Sequence, residues 1–226
     1  IVLAEKEQPQ EDAGVQDETV LIPVKYPEYA NRLTNLALLM RNPKRDHDLV
    51  ALSVVYDDAN IDRKRSEGAK LLEQVTSYAA SADVKMQSQL RVATNIANGI
   101  MHAFKEFRAT EVVIGMHMHF SDSTTFWGKF HQSLFNGLSR QIIMARLMQP
   151  LSTLRRIVVC VPSRAQFEPG FYRWLERLSR LAENLDCRIA YHGRQDTLTR
   201  IRQYELNHHE SVRAEYVEME HWNELP

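Results

Sequence analysis

The sequence from Glu111 to Lys129, Glu-Val-Val-Ile-Gly-Met-His-Met-His-Phe-Ser-Asp-Ser-Thr-Thr-Phe-Trp-Gly-Lys, contains an abrupt change of character. Its apolar run, Val112 to Ile114, stops at Gly115 and is followed by a polar stretch that ends at Gly128. A helical pattern then covers Phe130 to Asn136, so the sequence predicts a buried strand, a loop and a helix. In an open α/β sheet, ligands bind beyond the carboxyl end of such a strand, because glycine lets the backbone approach a phosphate and the next helix offers free N–H groups.

Apolar runs and helical patterns alternate on both sides of this stretch. The predicted strands are Thr19–Lys25, Leu49–Tyr56, Lys85–Val92, Val112–Ile114 and Gln141–Ala145, and the helices between the first four cover about 33–40, 62–82 and 94–107. Such alternation predicts an α/β fold with a doubly wound, parallel, five-stranded sheet and right-handed crossovers. Polar and apolar residues alternate over Lys85–Val92, which is typical of a strand near the edge of the sheet.

A shorter pattern of the same kind follows. The run Arg156–Pro162 echoes Thr19–Lys25, and a helical pattern comes after each of them. Further strands are predicted at Arg188–Tyr191 and Arg213–Val217. We therefore expect an acidic linker (1–18), a complete α/β unit (19–147), a linker (148–156) and a partial second unit of the same type (157–226) that lacks the last two strands.

Composition and charge exclude several classes of protein. Of the 226 residues, 44% are hydrophobic and 25% are charged, as in soluble globular proteins. The net charge of -1 argues against bulk electrostatic attraction to nucleic acid, and no apolar run approaches the roughly 18 residues that a membrane helix needs. The two cysteines, Cys160 and Cys187, are predicted to be reduced and buried. Because no signal-peptide pattern opens the chain either, we expect it to be soluble and cytosolic. Its start at Ile1 rather than Met suggests a piece of a larger protein.

The motif after the fourth predicted strand resembles that of the universal stress protein family. The likeness extends over Thr19 to Arg146, and the second unit resembles the front half of another copy. Family members keep the pattern Gly-x-x-Gly, nine residues, Gly-Ser/Thr, whose backbone holds the phosphates of ATP. Gly115 and Gly128 keep this register, whereas Met118 replaces the second glycine and Lys129 replaces the Ser/Thr. The resemblance implies a universal stress protein-like fold, related to the adenine nucleotide alpha hydrolase fold, with ATP or AMP as candidate ligands.

The residues at the predicted ligand site are cationic. Nucleotide-binding family members carry an Asp at the end of the first strand, where this chain has Lys25, and the bulk of Met118 would keep the backbone from a pyrophosphate. These departures count against ATP binding in the usual mode, whereas Lys25, His117 and Lys129 would favour a smaller or differently placed anionic ligand. The glycines would supply backbone donors, the lysines charge, and Tyr56 a stacking contact. The candidate ligand-binding residues are Lys25, Tyr56, Gly115, His117, Gly128 and Lys129.

A second resemblance concerns the larger protein. The sequence Glu168-Pro-Gly-Phe-Tyr-Arg-Trp174 and the tandem units behind an acidic segment resemble the cytoplasmic tail of a cation:proton (sodium/hydrogen) antiporter. This resemblance implies a regulatory domain on the cytoplasmic side of the membrane, with the protein's own transporter domain as its partner. We also expect a homodimer and, from the net charge, no nucleic-acid partner.

Other functions stay open at the level of sequence. One is an interaction scaffold whose pocket binds nothing and whose edge strand, Gln141–Ala145, pairs with its copy in a homodimer, and another is a stand-alone stress protein. A hydrolase or nucleotidyl-transfer enzyme is a third, but the chain has no Gly-x-Ser-x-Gly, His-x-Gly-His or Ser-Gly-Gly-x-Asp run. We therefore expect no catalytic residues and no enzyme activity.

Histidines in the loop after the fourth strand suggest a metal site only weakly. His117, His119 and Asp122 could hold zinc or copper, but no cysteine or second carboxylate lies near them in sequence. We interpret them as loop residues, with His117 as a contact for an anion, and expect no bound metal.

Two features of the second unit are interpreted as surface. The stripe Arg173, Arg177 and Arg180 is typical of a solvated helix face, with a docking surface for an acidic partner or anionic headgroups as the alternative. The pair His208 and His209 indicates the end of a helix, where the helix dipole favours positive charge.

Overall fold

The computed structural model describes residues 18–42, 47–116 and 141–224. Within these ranges the chain divides into two compact units, one of 18–38 with 47–151 and the other of 39–42 with 152–224. None of the helices in the described ranges is both long enough and apolar enough to cross a bilayer.

The first unit contains a sheet of five parallel strands. These are β1 (Glu18–Pro23), β2 (His47–Tyr56), β3 (Met86–Ala93), β4 (Glu111–Gly115) and β5 (Gln141–Ala145). Their order in the sheet is β3-β2-β1-β4-β5. The predicted five-stranded, doubly wound sheet is thereby confirmed, and so is the edge position of the third strand.

Strand β1 is central because it pairs on both sides. It is in parallel register with β2 from Glu18–His47 to Pro23–Leu52, and with β4 at Val20–Glu111 and Leu21–Val112. Its central residues Val20, Leu21 and Ile22 are at most 2% exposed, as expected for a parallel strand covered on both faces. The predicted strand was too long at its carboxyl end, since β1 stops at Pro23 and Lys25 lies in the following loop. Pro23 has no N–H to donate to the ladder.

Three helices lie wholly or mainly in the first unit. They are α1 (Pro27–Met40), whose last two residues count with the second unit, α2 (Ile61–Ala80) and α3 (Ile96–Glu106). Helix α3 starts at Asn95, whose side-chain oxygen accepts hydrogen bonds from the N–H groups of Ala97 (2.8 Å) and Asn98 (3.3 Å). Its buried face packs on side chains of β1, β2 and β4, and these residues form one hydrophobic core.

The second unit contains a sheet of three parallel strands in the order β6-β7-β8. The strands are β6 (Arg156–Cys160), β7 (Arg188–Gly193) and β8 (Arg213–Glu218), joined by α4 (Phe171–Asn184) and α5 (Gln195–His208). This is the partial second α/β unit that the repeated pattern predicts. Short 3-10 turns at Leu151–Thr153, Ala165–Phe167 and Trp222–Glu224 complete the described elements.

Two predictions about side chains of the second unit are wrong. Cys160 is exposed rather than buried, because it ends a strand that pairs on one side only among the described residues, whereas Cys187 is buried as predicted. The arginine stripe is not a solvated face, since Arg177 is only 2% exposed and Arg180 forms ion pairs with two glutamates of its own helix.

Gly99 lies at a close contact between α3 and the sheet. A Cβ at this position would lie 2.6 Å from Val54 Cγ1 and 3.2 Å from Ala93 Cβ. Val54 is β-branched and stiff, so it cannot move aside cheaply.

We predict that Gly99→Ala lowers the free energy of unfolding by about 1–3 kcal/mol, because overpacking outweighs the roughly 1 kcal/mol that alanine gains over glycine in a helix. Urea denaturation of the full chain measures this. The exposed neighbour Asn98 provides the control, since Asn98→Ala should leave the stability unchanged or raise it slightly. An increase in stability for Gly99→Ala would show that α3 packs less closely than described.

Candidate ligand site at the carboxyl edge of the first sheet

The candidate site lies where the strand order of the first sheet reverses. The chain proceeds from β1 to β2 and β3 on one side, and then returns to place β4 and β5 on the other side of β1. A crevice opens at such a switch point beyond the carboxyl ends of the strands, and open α/β sheets bind their ligands there.

The loop after β1 carries the first cation of the site. Val24 N donates to Leu52 O at 2.8 Å, which extends the β1–β2 ladder by one residue and fixes the start of the loop. The exposed Lys25 follows, and its Nζ lies 5.0 Å from the centre of the Tyr26 ring. The carbonyl oxygen of Tyr26 accepts from the N–H groups of Tyr29 (3.1 Å) and Ala30 (3.0 Å), so the loop enters α1 directly.

At the end of β4, a glycine places backbone without a side chain at the same edge of the sheet. Gly115 is the last residue of β4, and Met116 N donates to Ala145 O at 2.7 Å. This bond holds the first residue after β4 beside the end of β5. The backbone at Gly115 has no side chain of its own to keep a ligand away.

The segment after β5 carries a second cation. Arg146 directly follows β5, and the side chain of Arg32 on α1 donates to Leu147 O (3.3 Å) and Met148 O (3.4 Å). Helix α1 therefore holds this segment against the site.

These three chain segments and the first turns of α1 line an open cleft. The described residues that line it are Pro23, Val24, Lys25, Tyr26, Tyr29, Ala30, Leu33, Gly115, Met116, Ala145, Arg146, Leu147 and Met148. None of these described lining residues is acidic. The cleft is thus apolar with aromatic groups and two cations.

The structure brings together two of the six predicted site residues, Lys25 and Gly115. Tyr56 ends β2 but is not among the described lining residues of the cleft. Its ring lies 5.6 Å from Lys64 Nζ, and Lys64 forms an ion pair with Asp58. The hydrogen bond from Lys64 lowers the pKa of the Asp58 carboxyl.

The other three predicted site residues, His117, Gly128 and Lys129, lie outside the described residues. So do Met118 and the possible metal ligands His119 and Asp122. Among the residues that are described, no group of three or more His, Cys, Asp or Glu side chains could hold a metal ion.

Sequence reasoning missed Tyr26, Tyr29 and Arg146 as cleft residues. The sequence could have predicted Arg146 as a cleft residue, because it directly follows the predicted strand Gln141–Ala145 just as Lys25 follows the first apolar run. The sequence evidence for the two tyrosines was weaker, since only the short loop before α1 placed them near the strand end.

Comparisons with known proteins agree with this fold. No protein-family model matches the chain, and no curated protein sequence matches it. A universal stress protein from Archaeoglobus fulgidus DSM 4304 matches 90% of this chain and 77% of its own, with a TM-score of 0.61 and 12% identity. UspA from Lactobacillus plantarum matches 59% of this chain and all of its own (100%), with a TM-score of 0.48 and 15% identity. The universal stress protein from Archaeoglobus fulgidus in complex with dAMP matches 58% and 98%, with a TM-score of 0.45 and 14% identity.

The first of these likenesses covers both units and shows the fold. The chain has an α/β fold with the five-stranded parallel sheet of universal stress protein structures, followed by a partial sheet of three parallel strands. The fold implied by the resemblance of the Gly115 to Lys129 motif is confirmed.

Proposed function

We propose that the first unit is a regulatory module that binds a small anionic ligand, with adenine nucleotides as the preferred class. One observation carries the proposal: Lys25 and Arg146, from opposite ends of the unit's sequence, line one cleft whose described lining includes no acidic residue. Basic side chains grouped around one cleft favour the binding of an anion there.

The chemistry of the lining fits a phosphate attached to an aromatic base. Lysine acts as a point charge for phosphate, and the arginine fork can bind two phosphate oxygens at once. Gly115 allows close approach of backbone, and Tyr26 and Tyr29 offer ring faces on which a base can stack. Charge and aromatic faces hold a ligand, so we propose binding without turnover.

We further propose that this module regulates a monovalent cation:proton antiporter from the cytoplasmic side, with its own transporter domain as partner. The sequence resemblance at Glu168–Trp174 supports this, and the structure gives those residues a role in folding. Gly170 adopts φ +89, which glycine tolerates, at the start of α4. Phe171 is 0% exposed and its ring lies 5.3 Å from that of Trp174. A ligand would act by binding one conformation of the transporter more tightly than another.

A second candidate function is homodimerisation through β5. This strand is at the edge of the sheet, and all five of its residues are partly exposed. Ile142 and Met144 pack against the core, which leaves Ile143 on the other face of the strand. Unpaired edge strands are templates for pairing with another chain.

Ligand binding in the cleft can be tested on the full chain. A thermal-shift titration of the full chain with ATP, ADP and AMP should raise the melting temperature by about 5–10 °C at a hundredfold excess over Kd, because that excess stabilises by about 2.7 kcal/mol. Lys25→Ala should weaken binding by about 10- to 100-fold, as expected for the loss of one charge-assisted contact. Lys70→Ala, which removes an exposed lysine of α2 outside the cleft, should leave binding unchanged. No shift with any nucleotide, or equal loss in both variants, would contradict the proposal.

The proposed regulation of an antiporter can be tested by measuring transport. Membrane vesicles that carry the full-length gene product should exchange sodium or potassium for protons, and the ligand found by thermal shift should change the rate. Lys25→Ala should abolish this response and Lys70→Ala should keep it. A full-length product without exchange activity would rule out the antiporter, while the binding result would stand.

Pairing of two chains through the edge strand β5 can be tested by oligomeric state. Light scattering should find a dimer, and Ile143→Lys should convert it to a monomer because a charge at the edge blocks strand pairing. Val92→Lys places the same charge on β3 at the opposite edge and should leave the dimer intact. A monomeric wild-type chain at micromolar concentration would refute this role for β5.

A further inference from the structure

Helices α4 and α5 of the second unit meet along a cluster of ionisable side chains. We call it the seam cluster, and its members are Glu176, Ser179, Arg180 and Glu183 of α4, Tyr191 of β7, and Tyr204, Glu205 and His209 at the carboxyl end of α5. Ionisable groups are rarely buried unless they are paired, so the contacts within this cluster decide its charge state.

His209 is the cationic group nearest the end of α5. It directly follows the last helical residue, and its side chain is 0% exposed. Its Nε2 lies 2.6 Å from Glu176 Oε2, and its Nδ1 lies 3.2 Å from Glu183 Oε1. The second contact has ion-pair distance but not hydrogen-bond alignment, since Nδ1 has no hydrogen-bond partner. The ring is thus placed between two carboxylates.

The two glutamates are also held by α4 itself and by α5. Arg180 Nε donates to Glu176 Oε1 at 3.1 Å, and one of its terminal nitrogens donates to Glu183 Oε2 at 3.0 Å. The Tyr204 hydroxyl donates to Glu176 Oε2 at 2.9 Å. These hydrogen bonds hold both carboxylates in place, and those to Glu176 favour its ionised form.

Glu205 is placed differently. It is 3% exposed, and its Oε1 accepts hydrogen bonds from the hydroxyls of Tyr191 (2.6 Å) and Ser179 (2.8 Å). Its Oε2 is buried and has no hydrogen-bond partner. An ionised carboxylate with a bare buried oxygen costs far more than a protonated one.

The contacts favour one arrangement of charge in the seam cluster. With Glu176 and Glu183 ionised, the two negative charges are matched by Arg180 and a protonated His209, and the unpartnered buried Oε2 of Glu205 favours the neutral acid there. Loss of a proton from either His209 or Glu205 leaves one uncompensated negative charge in a region of low dielectric constant.

The directions of the pKa shifts agree with this balance. Burial raises the pKa of Glu205 against the opposing hydrogen bonds from Tyr191 and Ser179. Burial disfavours the charged ring of His209, but its contacts with Glu176 and then Glu183 outweigh this and raise its pKa. Burial also disfavours ionised Glu176, but the hydrogen bond and charge of His209 outweigh it, and the pKa of Glu176 is lowered.

We propose that the seam cluster is a pH-responsive latch, which holds the end of α5 against α4 while His209 and Glu205 are protonated and loosens it as the pH rises.

Other charged and titratable groups face the latch without supplying this response. Burial raises the pKa values of Tyr191 and Tyr204, and it raises that of Tyr216 on β8 to about 12, so the tyrosines keep their protons. Arg202 lies 5.9 Å over the Tyr216 ring, and the ring of the exposed His208 lies 4.6 Å from that of Tyr204.

The sign of the pH dependence follows from these directions. Glu205 and His209 have folded pKa values above their ordinary values of 4.5 and 6.5, so the folded unit binds more protons than the unfolded chain. Their stabilisation is complete below those ordinary values and is lost as the pH rises through the folded values. Glu176 acts in the opposite direction, because its stabilisation is present above 4.5 and is lost only on strong acidification. The latch should therefore be firmest in mildly acidic solution.

The test is made on the full chain by two NMR measurements, the titration of the histidine rings and the amide protection factors of α5 between pH 6 and pH 9. The pKa of His209 should lie above the ordinary histidine value of 6.5. Protection factors near residues 204–209 should fall with rising pH by about tenfold for each unit by which the folded pKa exceeds its unfolded value.

Adjacent histidines supply a matched pair of variants. His208→Gln should keep the pH dependence, whereas His209→Gln should lower protection already at pH 6 and remove the part that depends on His209. If His209→Gln does not fold, Glu205→Gln decides, because it keeps the shape of Glu205 without its proton and should reduce the fall in protection. A His209 pKa at or below the ordinary value of 6.5, or wild-type protection that is unchanged between pH 6 and pH 9, would overturn the latch.

Discussion

The pairing of β1 on both of its edges is the constraint on which the first unit depends. With β2 on one side and β4 on the other, the backbone groups of β1 are satisfied by the ladders, and its side chains are buried on both faces. A strand of this kind can present polar groups to solvent only at its ends. The same holds for β4, and the cations and bare backbone of the unit therefore gather at the carboxyl edge, where Lys25, Gly115 and Arg146 meet.

The second unit satisfies the same constraint only in part. Its first strand, β6, pairs with β7 but with no other strand among the described residues, and alternate residues of β6 are exposed. With less of its sheet enclosed, this unit relies more on the seam between α4 and α5. That seam includes buried carboxylates as well as apolar side chains such as Phe171 and Ile201. Buried charges stabilise only in the matching protonation state.

The sequence was sufficient for the strands because continuous apolar runs and their turn residues carry that information locally. It also placed Lys25 and Gly115 together, since both follow or end predicted strands. It did not predict the burial of His209, because two adjacent histidines look alike in sequence and only the phase of α5 separates the buried one from the exposed His208. Glu205 did carry a signal, as it shares the buried face of α5 with Leu198 and Ile201, a position at which a carboxylate needs partners.

The two units thus place their charges in opposite environments on the same kind of scaffold. Lys25 is exposed, where water screens its field and an arriving anion can exchange with solvent at little cost. His209 is enclosed, where no anion from solution can reach it and the smallest ion, the proton, is the species whose gain or loss the cluster registers. Burial alone therefore distinguishes the proposed ligand site from the proposed pH-responsive latch, although both consist of basic side chains beside the ends of α/β elements.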